Sequence, residues 1–486
     1  MRMTAGWLLL ASGTAAGSGE HHVASWVTYL FALLLAAMIA TLAFEEKLHA
    51  KKSIIAGTFA GLCLILATML NLLTFGEVVL PGGFDLKEHL IFEGAEHLEL
   101  PVYIPAIDWG VIAIILGASL FVEVTSRSGL FSWIAIKLTK KSGGDPWKLL
   151  LAYGILTVLF SALLNNVTAM IIIGSLTTVS LNKLNRTDLL LGFLLTEGLL
   201  TNVGGLLTLI SSVPNIIVGN TAGISFGKFF VVAAPYVLLT TAATLFMAKR
   251  KFRITALQTE EDRVIARELV SGFDEKESIP SNRFFWFSVS VLVLFILCLA
   301  GKDLLPWNLG RLGMGFIALF FAGVTLLAYR HEVDKLYAAV DWDLLAFFAG
   351  LFVVINVMEH AQVLDMIGRG IAAVLGLQHH LASAVLLASS ALASAVTDNI
   401  PLAAMLAKIL AGMSTPTESP FWWCVIFGAN LGGNITPIGS ASTVIAMTFI
   451  HRQKLELTFV GFVKLAAPFA AVQIVLAILY VLLVFR

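Results

Sequence analysis

The sequence predicts an all-α polytopic membrane protein with two inverted-topology repeats, each of about five transmembrane helices and one re-entrant hairpin. The first observation is composition, since 58% of the 486 residues are hydrophobic and only 13% are charged. The second is a set of long apolar runs. The third is a group of polar motifs that recur at a nearly constant spacing. Together they predict helices that use the bilayer as their solvent.

The composition and the run lengths exclude a soluble protein. Soluble domains carry about 25% charged residues, and a soluble core could not hide this much apolar surface. Unbroken runs such as 26–44, 54–75 and 229–247 are near the roughly 20 residues that cross a bilayer as a helix. A β-barrel would instead show short alternating segments. The spanning segments are therefore predicted to be helices.

Charge and cysteine usage exclude further classes of protein. The formal net charge is +0, which gives no argument for nucleic-acid binding. The three cysteines form no CxxC pair and no Cys/His cluster, so neither a disulfide framework nor a zinc site is expected. We also find no nucleophile–base pair, Walker motif or cofactor fingerprint. The chain is therefore predicted to be no enzyme and to need no cofactor, and no metal beyond a transported ion.

Three pairs of motifs indicate a duplication. They recur in the same order, the first two pairs at a spacing of 233 residues and the third at 228: Asp108-Trp109 with Asp341-Trp342, Asn165-Asn166 with Asp398-Asn399, and 202–205 with 430–433. The duplication predicts a first repeat at 23–248 and a second at 284–486. A charged linker at 249–283 joins them and is expected in the cytoplasm.

Polar residues in the middle of long apolar stretches predict hairpins at 149–181 and 381–411. Asn-Asn or Asp-Asn is costly in lipid, and a re-entrant turn lets such residues face protein or water. The glycine pairs predict broken helices at 189–218 and 422–449. Each repeat then crosses the membrane an odd number of times, which inverts the second repeat relative to the first.

Loop charges and the first residues set the predicted orientation. Basic residues after the first, third and fifth helices, such as Lys51, Lys140 and Lys249, fall on one side, which the positive-inside rule assigns to the cytoplasm. Residues 1–22 read as a possible signal or N-terminal segment, with Arg2 before a short apolar run. The sequence thus predicts an integral protein of a bacterial or archaeal inner (plasma) membrane, with its N-terminus outside.

The hairpin tips and helix breaks form the predicted ion-binding site. Breaks leave backbone N–H and C=O groups free to bind ions, and neighbouring amides and hydroxyls add oxygen ligands. The predicted substrate- or ion-binding residues are Asn165, Asn166, Thr168, Asn202, Gly204, Gly205, Ser211, Asp398, Asn399, Asn430, Gly432, Gly433, Asn434 and Ser440. A glycine pair alone would equally suit close helix packing.

Two carboxyl groups are predicted to couple transport to protons. Asp398 lies in the middle of the second hairpin, where it must pair, bind a cation or accept a proton. Glu197 lies inside the apolar run before Asn202 and is the second candidate. The alternatives are a helix-capping role for Asp398 and a structural role for Glu197.

At these motifs the sequence resembles the ion transporter superfamily. That group includes arsenite permeases, the P protein, NhaD-type sodium/proton antiporters and divalent anion/sodium symporters. The segments that carry the resemblance are FSALLNNVTAMIIIG (160–174), TNVGGLLTLISSVPNIIVG (201–219), AVTDNIPLAAM (395–405) and GANLGGNITPIGSAST (428–443). The resemblance implies a scaffold domain, a mobile transport domain, a homodimer and elevator-like movement. Asn165 and Ser211 stand where relatives often carry Asp, so the first half has lost charge.

Function is predicted to be secondary transport of a small inorganic ion and a proton. A sodium (cation)/proton antiporter with alternating access is the first hypothesis. The first alternative is a proton-coupled exporter of arsenite or another oxyanion. The second is a sodium-coupled carboxylate transporter, although the broken helices offer no obvious arginine clamp. The expected partners are the transported ion, the proton, membrane lipid and a second copy of the chain.

Overall fold

The structure is a computed structural model that describes residues 23–73 and 103–485. The predicted signal segment 1–22 lies outside the described residues. Within them, the regular secondary structure is helical, and ten helices are long and apolar enough to cross a membrane. Large apolar side chains such as Leu33 and Leu297 are exposed on these helices. A bilayer accounts for that exposure, because lipid replaces water around the outer faces.

The helices of the first half and the linker follow one another with short connections. In chain order they are α1 (Ser25–Ala43), α2 (Glu45–Leu48), α3 (Lys52–Met69), α4 (Tyr103–Ala106), α5 (Trp109–Arg127), α6 (Leu130–Ser142), α7 (Pro146–Leu163), α8 (Asn166–Lys183), α9 (Leu190–Gly204), α10 (Val213–Thr221), α11 (Phe226–Lys251) and, in the linker, α12 (Glu260–Ser271).

The second half has a matching order of helices. They are α13 (Asn282–Ala300), α14 (Gly313–Ala328), α15 (Val333–Ala338), α16 (Trp342–His360), α17 (Val363–Leu375), α18 (His379–Val396), α19 (Asn399–Gly412), α20 (Pro420–Gly432), α21 (Ala441–Arg452) and α22 (Phe459–Val484). Four pairs of helices, α5 with α16, α6 with α17, α7 with α18 and α11 with α22, begin and end 233 residues apart. The two halves therefore share one design, and their inverted orientation stays a prediction.

In each half, one helix packs closely against a helix of the other half. Helix α3 packs on α16, and α14 packs on α5. At both crossings a glycine removes the side chain that would keep the backbones apart. A Cβ built on Gly117 would lie 2.5 Å from the Ala318 carbonyl carbon, and one on Gly350 would lie 3.0 Å from that of Ala56. Small residues allow this close approach of helices in membranes.

Both hairpin segments are interrupted at the predicted positions. Leu164 and Asn165 are extended between α7 and α8, and Thr397 and Asp398 are extended between α18 and α19. Asn165 and Asp398 cap the following helices by accepting backbone N–H groups at 2.7 Å and 3.0 Å. The arms α7 and α18 have 18 residues each, which is about 27 Å of helix. The re-entrant course of these hairpins stays a prediction.

Two helices between the third span of each half and its hairpin were not predicted. Helix α6 and helix α17 have 13 residues each, too few to span a bilayer. Helix α17 separates apolar and polar faces strongly, and it buries Val363, Leu364 and Gly368. The periodicity of α6 and α17 is hard to recognise in the sequence, because each helix is short and lies between two long apolar runs.

The linker folds back on the end of α6. Thr259 caps α12, whose Ala266 and Val270 are buried. Gly143 and Gly144 have φ values of 64° and 72°, which turn the chain tightly after α6, and a Cβ on Gly144 would lie 2.8 Å from the Ala266 carbonyl oxygen. We call the face of the protein where helix ends such as that of α6 contact the linker (249–283) the linker side.

Candidate functional site

The two helix breaks lie at the predicted glycine pairs. Helix α9 ends at Gly204 and α20 ends at Gly432. The following Gly205 and Gly433 have φ values of −58°, so no left-handed conformation requires glycine there. At the first glycine of each pair, close packing leaves no room for a side chain. A Cβ on Gly204 would lie 2.7 Å from the backbone of Val158 in α7, and one on Gly432 would overlap the matching backbone of α18. The glycines therefore let each hairpin arm touch its broken helix.

Five side chains from the two halves meet between the breaks and form what we call the amide cluster: Asn166, Asn202, Asn434, Ser440 and Ser442. Asn202 donates from Nδ2 to Asn434 Oδ1 and to Ser440 Oγ, both at 2.8 Å. Its Oδ1 accepts from Ser442 Oγ at 3.0 Å and from Asn166 Nδ2 at 3.3 Å. Asn202, Asn434 and Ser440 are buried, so this neutral hydrogen-bonding cluster lies inside the protein.

The contact between Asn202 and Ser440 has a counterpart in which the two halves exchange roles. Asn430 corresponds to Asn202, and Ser212 corresponds to Ser440, each at a spacing of 228 residues. Ser212 donates to Asn430 Oδ1 at 2.7 Å, and Asn430 Nδ2 donates to Asn215 Oδ1 at 2.9 Å. All three side chains are buried. Each broken helix is thus tied to the start of the helix beyond the other break.

Several residues of the site were missed in the sequence. Gln473 in α22 accepts from Asn434 Nδ2 at 2.8 Å and donates to Thr244 Oγ1 at 3.0 Å. Ser161 in α7 donates to Asn166 Oδ1 at 2.8 Å and to the Thr201 carbonyl at 2.6 Å. A buried glutamine in an otherwise apolar span was a usable signal, because such a residue must find polar partners.

Of the predicted hairpin-tip residues, Asn166 belongs to the amide cluster, and the others lie away from it. The second tip is docked: Lys52 Nζ lies 2.5 Å from Asp398 Oδ2, and the carboxylate side chain is 13% exposed. Glu45 lies 3.6 Å from the same ammonium group. Asn165, at the matching position of the first tip, is exposed. The sequence gives no sign that Lys52 reaches Asp398.

The other predicted residues have local roles. Ser211 Oγ contacts the carbonyl oxygens of Gly205 and Thr208 at 2.6 Å and 2.7 Å, inside the first break. Thr168 donates only its backbone N–H to Asn165 in the described contacts. Asn399 is the first residue of α19 and is half-buried.

Glu197 lies inside the protein, and no described residue forms an ion pair with it. It is in α9, five residues before Asn202, and its side chain is fully buried. Thr177 Oγ1 donates to Glu197 Oε1 at 2.5 Å. Among the described residues, no hydrogen-bond partner reaches Oε2. A buried carboxyl group in this situation favours its protonated form, and ionisation requires a compensating positive charge.

The arrangement suits an ion better than a covalent reaction. Amide and hydroxyl oxygens are ligands for hard cations, whereas the N–H groups and helix N-termini at the breaks suit anions. In the described part of the chain, no group of three His, Cys, Asp or Glu side chains is placed to hold a resident metal ion. These amide, hydroxyl and carboxyl groups are of the kinds that can bind ions and protons reversibly.

Comparisons with known proteins identify the family of this chain. The CitMHS family model, described as citrate transporter, matches residues 7–428. An uncharacterized transporter of Mycobacterium tuberculosis is 30% identical over 380 residues, covering 77% of this chain and 86% of that protein. The human P protein is 24% identical over 449 residues, covering 77% of this chain and 53% of that protein.

A solved structure has the same fold. The YdaH transporter of Alcanivorax borkumensis aligns with a TM-score of 0.58 at 15% identity, covering 89% of this chain and 98% of that one. That transporter is described as having an unusual topology, and at this identity the likeness concerns the fold alone. The P protein relatives confirm the resemblance to the ion transporter superfamily. The chain is therefore an integral membrane transporter, and it belongs to the CitMHS citrate transporter family.

Proposed function

We propose that this transporter is a cation/proton antiporter that works by alternating access, with sodium as the first cation to test. The observation that carries the proposal is the buried Glu197 carboxyl group, which lies in α9 five residues before Asn202 of the amide cluster. A protonated Glu197 is neutral and stable in this surrounding. An ionised Glu197 needs a positive charge nearby. Exchange of a proton for a monovalent cation keeps the site neutral in both states.

The charge of the broken helices supports a cation as cargo. Segments 190–221 and 420–450 contain one acidic residue, Glu197, and no lysine, arginine or histidine. An anion would meet a carboxyl group and no cationic side chain on these segments. The oxygen atoms of Asn202, Asn434 and Ser440 could replace part of the hydration shell of a small cation.

Asp398 is the second proposed coupling group. Its partner Lys52 belongs to α3, and the ion pair joins the second hairpin tip to that helix. A cation that binds Asp398 would compete with the lysine ammonium group for the same oxygens. Release of Lys52 would then free the tip, so that cation binding and hairpin movement are linked.

We further propose that both hairpins and both broken helices move together against α3, α5, α14 and α16. The unequal docking of the two tips supports this idea, since a tip that contacts α3 in one state would leave it in the other. The resident membrane is proposed to be a bacterial or archaeal inner membrane, with the N-terminus outside, and the assembly a homodimer in lipid.

Carboxylate transport is the second candidate. The family description favours it, since it reads citrate transporter. Helices α10 and α21 also begin at the breaks, after Ser212 and Ser440, and helix N-termini attract anions. Arsenite is a weaker candidate, because the three cysteines lie on α3, α13 and α20 and do not join the amide cluster.

The test is a substrate screen with the full chain in proteoliposomes that contain a pH-sensitive dye. Sodium, lithium, potassium, arsenite and citrate are added separately under an imposed proton gradient. We expect sodium-dependent proton flux that is lost in Glu197→Gln and in Asp398→Asn. The matched control is Glu359→Gln, whose half-exposed carboxylate pairs with Lys408 and should leave the flux unchanged.

Two results would overturn the proposal. Proton flux that follows citrate and ignores every cation would select the carboxylate candidate. Cation-driven flux of equal rate in Glu197→Gln and the unmodified protein would remove Glu197 from the coupling mechanism.

A further inference from the structure

Buried hydroxyl groups connect the linker side of the protein to Glu197. Thr139 is near the end of α6, and its Oγ1 lies 2.7 Å from Tyr153 Oη. Tyr153 Oη lies 2.7 Å from Ser180 Oγ in α8. Both are hydrogen bonds in which either oxygen can donate. The series therefore begins beside the linker and enters the bundle between α7 and α8.

The series continues along α8 to the carboxyl group. Ser180 and Thr177 are three residues apart on one face of the helix, where side chains have Cβ atoms about 5–6 Å from each other. Thr177 Oγ1 then donates to Glu197 Oε1 at 2.5 Å. All of these side chains are fully buried. The described contacts include no hydrogen bond between Ser180 and Thr177, so this step requires a bridging water or a change of side-chain rotamer.

The second half of the protein shows that the fold does not need these polar groups. The residues equivalent to Thr139, Tyr153, Thr177, Ser180 and Glu197 are all apolar: Ala372, Leu386, Leu410, Met413 and Val425. Helices α17 and α18 have the bounds of α6 and α7 shifted by 233 residues, whereas α19 ends at Gly412, about one turn before the position equivalent to the end of α8 and one residue before Met413. Burying a hydroxyl or a carboxyl group without need is unfavourable, so a set of five confined to one half indicates a function.

We propose that Thr139, Tyr153, Ser180 and Thr177 form the route by which protons reach Glu197 from the linker side. The proposal rests on the proposed function, because it assigns a path to the proton that Glu197 exchanges. Each hydroxyl oxygen accepts a proton from one neighbour and releases its own proton to the next. One proton enters at Thr139, one arrives on the carboxylate, and every hydroxyl is regenerated before it rotates back.

Charged groups surround the Thr139 end of the series. Lys140 follows Thr139 directly and pairs with Glu275 of the linker at 2.7 Å. The other charged groups on the elements packed here include Lys137, Lys141, Asp145, Lys148, Lys183, Arg263, Arg267 and Glu268. Around the inner end, the described contacts of Glu197 include no charged side chain. The route therefore has charged groups near its Thr139 end and the proton-binding carboxyl group at its far end.

Tyr153→Phe tests the route because it removes one hydroxyl and keeps the ring. The matched control is Tyr236→Phe, also fully buried, whose hydroxyl donates to the Gln473 carbonyl at 3.0 Å and forms no described hydrogen bond with Thr139, Ser180 or Thr177. We measure the initial rate of sodium-driven proton flux in proteoliposomes across a pH series, the sodium concentration at half-maximal rate, and the unfolding temperature. Ser180→Ala is measured in parallel as an independent interruption.

We expect Tyr153→Phe and Ser180→Ala to slow the flux by about 10²-fold at alkaline pH, at the lower end of the effect of a positioned proton-transfer group. Their rates should rise in proportion to proton concentration, because protonation becomes limiting. Half-saturation by sodium should stay unchanged, and Tyr236→Phe should match the unmodified protein.

Four results separate the proposals. Equal rates in Tyr153→Phe and Tyr236→Phe at every pH, with Glu197→Gln inactive, would overturn the route and leave the antiport function standing. Absence of sodium-driven proton flux in the unmodified protein would overturn the antiport function, whereas full activity in Glu197→Gln would remove Glu197 from the coupling mechanism and the route with it. A loss in Tyr153→Phe that is independent of pH and accompanied by a lower unfolding temperature would also contradict the route, because it would assign the hydroxyl to packing.

Discussion

Lys52 Nζ and Asp398 Oδ2 lie 2.5 Å apart, although 346 residues separate them along the chain. The pair joins the start of α3 to the tip of the second hairpin. The first tip has no matching contact in the described part of the chain, since its Asn165 is exposed and binds only its own helix. The two halves share one design and are docked differently.

Neutralising Lys52 is predicted to strengthen cation binding. In Lys52→Gln the cation no longer competes with an ammonium group, and the sodium concentration at half-maximal flux should fall by about two- to tenfold. The matched control is Lys51→Gln, at an exposed neighbouring position. A half-saturation that rises in Lys52→Gln, or that Lys51→Gln shifts equally, would show that Lys52 does not compete with the cargo.

Removing one amide of the cluster should damage both stability and transport. Asn202→Ala removes the donor to the buried oxygens Asn434 Oδ1 and Ser440 Oγ, and leaving such groups unsatisfied lowers the free energy of unfolding by about 1–3 kcal/mol. We expect a lower unfolding temperature in detergent and no measurable flux. Asn220→Ala is the control, because that exposed amide binds Asp108 at the other end of α10. An active, fully stable Asn202→Ala would argue against a central role for the amide cluster.

The glycines at the helix crossings should tolerate no added methyl group. Gly117→Ala forces a Cβ to within 2.5 Å of the α14 backbone, and overpacking of this kind costs about 1–3 kcal/mol. Gly61→Ala in α3 meets nothing within 4 Å, so its better helix propensity should leave stability equal or raise it by up to about 1 kcal/mol. Thermal unfolding of both variants gives the comparison, and an equal effect would reject the close crossing.

The linker should detach from α6 in acid. The hydrogen bond from Lys140 lowers the pKa of Glu275 below its ordinary value of 4.5. A depressed folded-state pKa means that the contact stabilises the docked linker above that ordinary value and is lost as pH falls through the lowered pKa. Hydrogen exchange of α12 should therefore increase only at strongly acidic pH.

Glu275→Gln should produce the same exchange at neutral pH, because it removes the charge that holds Lys140. Glu277→Gln is the control, since Glu277 makes no described ion pair with α6. Unchanged exchange in Glu275→Gln at neutral pH would show that Ala266 and Val270 hold the linker without the ion pair.

The sequence by itself determined the class of fold, because composition and run length dictate how a chain can satisfy its backbone in lipid. It also determined the repeated design. Polar motifs at spacings of 233 and 228 residues located the hairpin tips and the helix breaks within a few residues of the observed ends. Local patterns suffice here, because a polar pair inside an apolar run and a glycine pair mark their own positions.

Only the tertiary structure decided which of those residues meet. Asn202 contacts Ser440 and Asn430 contacts Ser212, whereas Asp398 lies away from them beside Lys52. The hydroxyl series to Glu197 draws on α6, α7, α8 and α9, and no spacing along the chain records it. The physical reason is that helix packing brings distant residues together through side-chain shape at crossings such as Gly117 and Gly350, which a linear pattern does not encode.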